Sequence, residues 1–267
     1  MEDLFMPTEY EILTHNKTAW NKLSERGYIW TRPVESQVIE DAKNGVWIVF
    51  LTPSIFVPKE WFPSSLQGVK ILGLASGGGQ QCPIFAAAGA DVTVFDNSPA
   101  QLAADLMVAE RDSLKITAEE GDMADLSRFA DNSFDLIFHP VSNSFVPDVN
   151  PVWREAFRVL KPGGILLSGF TNPLTYLFDE NKAQKGIFEV VHRIPFFADR
   201  DLSKEELRKL KEDGDALEFS HTLEDQIGGQ MKARFLLTGL YEDKEKNDPL
   251  SGYISTYIAT RAVKPVI

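Results

Sequence analysis

One stretch constrains this chain more than any other. An apolar run, Val69-Lys70-Ile71-Leu72-Gly73-Leu74-Ala75-Ser76, opens onto Gly77-Gly78-Gly79. A helix-length segment follows, and a second apolar run, Asp91-Val92-Thr93-Val94-Phe95-Asp96, ends in an acid. The apolar runs suit strands covered on both faces. Glycines let the backbone turn sharply and approach a ligand closely, and the start of the following helix offers N–H groups. Asp96, at a strand tip, can accept two hydrogen bonds from a ribose diol.

The rhythm continues downstream. Ser98-Pro99-Ala100-Gln101 is a capping-box pattern with proline at the first helical position, so a helix starts there. Further strands are expected over residues 115–119, 134–139 and 165–170, with a helix over 150–160 and a turn at Lys161-Pro162-Gly163-Gly164. Strands alternating with helices at this spacing imply right-handed crossovers and a parallel sheet. Residues 1–66 read as an N-terminal extension, with helices over 9–26 and 35–43 and a strand-like or buried run over 46–51. After Phe170 the alternation breaks. Residues 171–220 read as an insertion that caps the site, with a charged helix over 203–212. A helix over 223–233 and strands over 235–242 and 253–263 complete the chain. The unit boundaries are thus 1–66 for the extension and 67–267 for the main domain.

Composition narrows the function. A net charge of −12 repels a phosphate backbone, so nucleic acid is not the expected partner. The basic residues of 204–211 alternate with acids, as on a solvated helix face. No apolar run reaches the roughly 18 residues of a membrane span, so no membrane partner is expected. The start, Met1-Glu2-Asp3-Leu4, lacks a signal-peptide pattern. The single cysteine, Cys82, rules out an internal disulfide and fits a cytoplasmic protein. Four histidines and one cysteine give no metal-ligand spacing. A homodimer is left open.

The glycine turn discriminates between cofactors. A dinucleotide site wants G-x-G-x-x-G, but Gly77-Gly78-Gly79 is followed by Gln80-Gln81-Cys82. Residues 69–170 instead resemble the class I S-adenosylmethionine-dependent methyltransferases. Ile71-Leu72-Gly73-Leu74-Ala75-Ser76-Gly77-Gly78-Gly79 resembles their first motif with two departures: Gly73 stands for an acid and Ala75 for the first glycine. Val94-Phe95-Asp96-Asn97-Ser98, Glu120-Gly121-Asp122-Met123, Phe134-Asp135-Leu136-Ile137 and Arg158-Val159-Leu160-Lys161-Pro162-Gly163-Gly164 resemble the later ones, in order. The resemblance is to small-molecule-type members. It implies an α/β fold: a doubly wound, seven-stranded, mostly parallel Rossmann-like sheet with a helical N-terminal extension and an insertion after the fifth strand.

The resemblance implies that the extension 1–66 folds over the site, and what it implies for the site itself follows residue by residue. Ala75, Ser76, Gly77 and Gly79 would receive the amino-acid end of S-adenosylmethionine, Asp96 its ribose, with Asn97 beside it, and Asp122 and Met123 its adenine. His139, at a strand end, would lie beside the cofactor and is the candidate general base. Asn143, Tyr28 and Trp30 are candidate substrate contacts, and Arg32 a candidate partner for a carboxylate. The expected reaction is methyl transfer to a small-molecule acceptor. Two alternatives stand beside it: a non-catalytic protein that binds the cofactor or its demethylated product, and a protein or RNA methyltransferase. His139-Pro140-Val141-Ser142 lacks the Asn-Pro-Pro-Tyr-like string of amino-group chemistry on bases or glutamine.

Overall fold

The computed structural model describes residues 8–266; the acidic start Met1-Glu2-Asp3-Leu4 lies outside them. Seven strands, β1 (Lys70–Leu74), β2 (Asp91–Asp96), β3 (Ile116–Glu120), β4 (Phe134–His139), β5 (Leu160–Thr171), β6 (Leu236–Asp243) and β7 (Tyr257–Val263), form one sheet. Their order is β3-β2-β1-β4-β5-β7-β6. β1 to β5 are mutually parallel, and β7 runs antiparallel to both β5 and β6. The order reverses between β2-β1 and β4, which opens a crevice at the carboxyl ends of β1 and β4.

The helices are α1 (Glu9–Glu25), α2 (Ser36–Lys43), α3 (Gln81–Ala87), α4 (Pro99–Arg111), α5 (Asn150–Val159), the single turns α6 (Glu180–Ala183) and α7 (Ala198–Asp201), α8 (Lys204–Asp213) and the short α9 (Gly229–Lys232). Strand alternation divides the core. Ile71, Val92, Val94, Leu136, Phe138 and Leu167 face α2, α3 and α4. Leu72, Leu74, Ile137 and Leu166 face α5, whose Val152, Trp153, Ala156 and Val159 are fully buried. Each such side chain contributes about 1.5–3 kcal/mol on leaving water. A third, smaller core joins Ile12 of α1 to Phe196, Ala198, Leu217 and Phe219 of the segment after β5.

Local signals explain the ends of these elements. Thr8 and Glu11 form a capping box at α1, as do Ser203 and Glu206 at α8. The pattern at α4 is only half realised. The Ser98 hydroxyl accepts Gln101 N–H at 3.2 Å, while the Ser98 N–H goes to Asp96 Oδ1 at 2.9 Å. Gln101 is thereby released to turn into the interior, where it is buried.

Three expectations need correction. The run 46–51 forms no strand: it makes one isolated bridge, Phe50 to Phe56, and sends Val49 and Leu51 into the core as a plug. The turn at Lys161–Gly164 is absorbed into β5 as an irregularity, because Leu160 already pairs with Phe134 before the register resumes at Leu136 and Ile165. The helix over 223–233 begins as a π-type turn, Glu224–Gly228, where Gly229 packs edge-on to Trp153.

Candidate functional site

The turn after β1 is held from three sides. Ala75 donates its N–H to the Phe95 carbonyl of β2 at 2.7 Å and lies at φ 45°. Gly77 N–H binds Asp96 Oδ2 at 3.0 Å. Gly78 and Gly79 N–H both bind Asp105 Oδ2, at 2.9 and 3.0 Å. Gly78 and Gly79 take φ 112° and 70°, open to glycine without strain. A Cβ on Gly77 would lie 2.7 Å from Gln101 Cβ, and one on Gly79 would lie 2.9 Å from the Ala104 carbonyl oxygen. The turn therefore rests on α4 at a closeness that only bare backbone permits.

The other face of the turn is covered by the N-terminal segment. The Trp30 carbonyl oxygen would stand 3.1 Å from a Cβ on Gly78. Val34 N–H donates to the Gly79 carbonyl at 2.9 Å, and Gln80 Nε2 donates to the Ile29 and Arg32 carbonyls, both at 3.1 Å. Asn97 Nδ2 reaches the Leu13 carbonyl of α1 at 3.0 Å, and Asn21 Oδ1 accepts from the Ser98 hydroxyl at 2.7 Å. Lys17 of α1 pairs with Glu120 at the end of β3. Residues 9–34 thus lie across the ends of β1, β2 and β3.

Asp96 uses one lone pair of Oδ1 for Ser98 N–H and one of Oδ2 for Gly77 N–H. Each oxygen keeps capacity for a further donor. Burial pushes its pKa up, and the Ser98, Gly77 and Asn97 amides pull against that. Asp122 accepts Ala124 N–H at 2.9 Å. Burial raises its pKa too, opposed by that same bond. Met123 packs partly buried against the α5-side core.

His139 is fully buried, with Nδ1 2.9 Å from the Leu74 carbonyl and Nε2 2.6 Å from Asn143 Oδ1. Burial holds its pKa below the usual histidine range, although both contacts raise it. Each ring nitrogen faces an oxygen that only accepts, the Leu74 carbonyl at Nδ1 and the Asn143 amide at Nε2, so both contacts favour a protonated nitrogen while burial opposes the charge. Asn143 passes the network on to Gln226 at 2.8 Å, and its own carbonyl meets His221 Nε2 at 2.9 Å. Both ring nitrogens of the candidate base are thus tied to protein atoms.

The remaining candidates separate. Tyr28 and Trp30 are exposed at 43% and 38%; Trp30 meets the turn through its carbonyl. Arg32 donates to the Gly27 carbonyl at 2.7 Å. Sequence reasoning missed Asp105, Gln101, Asn21 and Tyr176. Tyr176, just past β5, donates to Glu218 at 2.6 Å beside the loop after β4. The signal for Asp105 was present as an acid on the apolar stripe of α4. Among the described residues no group of three His, Cys, Asp or Glu side chains is placed to hold a metal ion, and no helix is long and apolar enough to cross a membrane.

A glycine turn braced against an acid at the next strand tip, on a sheet of this order, defines a class: Rossmann-like proteins of the S-adenosylmethionine-dependent methyltransferase kind. Two solved structures share the fold. A Mesorhizobium loti S-adenosylmethionine-dependent methyltransferase aligns with TM-score 0.57 at 19% identity, over 77% of this chain and 94% of its own. A Burkholderia thailandensis 1,6-didemethyltoxoflavin-N1-methyltransferase, solved with bound 1,6-didemethyltoxoflavin and S-adenosylhomocysteine, aligns with TM-score 0.59 at 12% identity, over 98% of this chain and 92% of its own. By sequence, residues 72–168 match a family described as a methyltransferase domain. An uncharacterized methyltransferase of Bacillus subtilis (strain 168) is 56% identical over 253 residues, 95% of this chain and 98% of that relative. The chain belongs to the class I S-adenosylmethionine-dependent methyltransferase family.

Proposed function

We propose that the chain moves the methyl group of S-adenosylmethionine to a small-molecule acceptor within the crevice between β1, β2 and β4. One observation carries this reading. Asp96 stands against the glycine turn with spare acceptor capacity, under a roof made by residues 9–34. The residues fit the cofactor: the turn at 75–77 takes its amino-acid end, Asp96 its ribose hydroxyls, and Asp122 and Met123 its adenine. When bound, the cofactor supplies an electrophilic methyl carbon on a sulfonium.

The protein's own part is alignment and exclusion of water. Reacting atoms held about 3–3.5 Å apart in line need no further covalent help. His139, with both ring nitrogens engaged by protein atoms, serves this reading as a brace that ties β1 to the loop after β4 rather than as a proton acceptor. The segment 171–220 and α1 close the acceptor side as lids, through bonds such as Phe219 N–H to the Ser144 carbonyl at 2.8 Å. A site covered by residues 9–34 and a charge of −12 favour a small acceptor over nucleic acid. A non-catalytic binding role is motivated by Gly73, which stands where the resembling family carries an acid.

The test is calorimetry with S-adenosylhomocysteine on the wild type and Asp96→Ala. Loss of two charge-assisted bonds of about 1.5–3 kcal/mol each predicts a drop in affinity of at least about a hundredfold. Affinity within about threefold of wild type removes Asp96 from the site. Methyl transfer from labelled cofactor into a small-molecule extract then separates catalysis from binding; its absence in an extract of the source cell favours the binding role.

A further inference from the structure

α4 carries an acid where its pattern calls for an apolar side chain. Gln101, Leu102, Asp105, Val108 and Ala109 form its buried stripe, and Asp105 is fully shielded from solvent. The titratable groups acting on it are Asp96 at the tip of β2 and the Cys82 thiol of α3, and neither is a cation. Asp105 Oδ2 holds Gly78 and Gly79 N–H. Its Oδ1 is buried with no hydrogen-bond partner, and so is Oε1 of Gln101, one helical turn earlier. Both residues close on one glycine: Gly78 N–H also reaches the Gln101 carbonyl at 3.1 Å, and a Cβ on Gly78 would stand 2.9 Å from Gln101 Oε1.

A buried acceptor left without a donor costs about 1–3 kcal/mol. One proton on Oδ1 turns that atom into a donor, because a carboxylic acid donates where a carboxylate only accepts. We propose that Asp105 is the positioning residue of the cofactor turn, a neutral acid that accepts two glycine N–H groups on Oδ2 and donates from Oδ1 to Gln101, in place of the acid missing at position 73. Its link to the cofactor rests on the function proposed above; its protonation does not. Burial pushes Asp105 up to about 8, in line with the geometry. The acid cannot return to position 73, since a Cβ there would lie 2.2 Å from Cys82 Sγ.

The group can be read directly, on the full chain without cofactor, by a carbon-13 titration of side-chain carboxyls assigned with Asp105→Asn. A resonance titrating near pH 8 supports the proposal; one titrating near the ordinary aspartate value of about 4 overturns it. Stability gives a second readout. A carboxyl raised in the folded state contributes stability that is full below about pH 4 and is lost as pH rises through about 8. The wild-type Tm should therefore fall between pH 6 and 9 relative to that of Asp105→Asn, which keeps an acceptor and a donor and cannot ionise. Parallel profiles would contradict the proposal. S-adenosylhomocysteine should bind Asp105→Asn within about threefold of wild type and Asp105→Ala at least about tenfold more weakly. Equal losses in the two variants overturn the positioning role. Should the wild type itself not bind, the proposed function fails, while the titration and the Tm profiles still decide the state of Asp105.

Discussion

Ala75 sits at φ 45°, where an L side chain crowds the following carbonyl. That conformation costs a non-glycine residue about 1–2 kcal/mol. The first motif of the resembling family has glycine there, so this chain keeps the turn and bears the strain. Two bonds hold the geometry on either side: Ala75 N–H to the Phe95 carbonyl at 2.7 Å, and Gly77 N–H to Asp96 at 3.0 Å. Ala75→Gly relieves the crowding and adds unfolded-state entropy, for a net gain of about 0.5–1 kcal/mol. Thermal unfolding should show Tm higher by about 1–4 °C. A lower Tm would mean that the alanine methyl packs favourably enough to outweigh its backbone. His139 makes a related point, since its type suggests a base while its surroundings engage both ring nitrogens. Burial lowers its pKa, against the pull of the Leu74 carbonyl and the Asn143 amide oxygen.

At the scale of elements, β1 and α3 meet through one mutual fit. Gly73 has no side chain because Cys82 Sγ fills that volume. Burial also pushes the thiol pKa well up, so Cys82 acts here as a small apolar group. Gly73→Ala should cost about 1–3 kcal/mol by overpacking, and Cys82→Ala about 1 kcal/mol through lost packing. Together they should cost less than their sum by about 1 kcal/mol or more, a coupling that a denaturant double-mutant cycle measures. Strict additivity would show that the strand shifts instead. The same elements show what a chain reveals before folding. β2, β4 and α1 were legible because alternation, caps and breakers agree at each end. The plug at Val49 and Leu51 was not, because an apolar run signals burial without saying whether the backbone pairs. Asp96 and the glycine turn were legible as an acid at a strand tip and bare backbone before it. That the extension folds over them was expected from the resemblance, but not the groups that make the roof, because it is built from the carbonyls of Leu13, Ile29, Trp30 and Arg32. Every residue type carries a carbonyl, so no spelling marks it.

The whole molecule is arranged so that α1 and the segment after β5 form one cover. Asn16 is the joint between them: its Nδ2 donates to the Phe145 carbonyl at 3.1 Å and the Leu217 carbonyl at 3.0 Å, and its Oδ1 accepts Leu217 N–H at 2.8 Å. His15 reaches the Asp215 carbonyl at 2.9 Å and Arg26 the Asp213 carbonyl at 3.2 Å, so the seam runs the length of α1. Trp20 stands edge-on to Phe145, ring centroids 5.0 Å apart, on the loop after β4. The shared core of Ile12, Leu217 and Phe219 packs the two pieces against each other. Asn16→Ala strands Leu217 N–H and two carbonyls in a dry seam, at about 1–3 kcal/mol for each group left unpaired. Because opening is local, that cost should fall on the cover rather than on the sheet. Hydrogen exchange read by mass spectrometry should then show protection lost together over 9–25 and 214–221, with β1, β2 and β4 unchanged. S-adenosylhomocysteine should raise protection over the same two segments in the wild type, since binding that favours the closed form suppresses opening by mass action. Loss confined to 9–25, with 214–221 as protected as before, would mean that α1 opens alone and that the segment after β5 is fixed to the sheet by its own contacts.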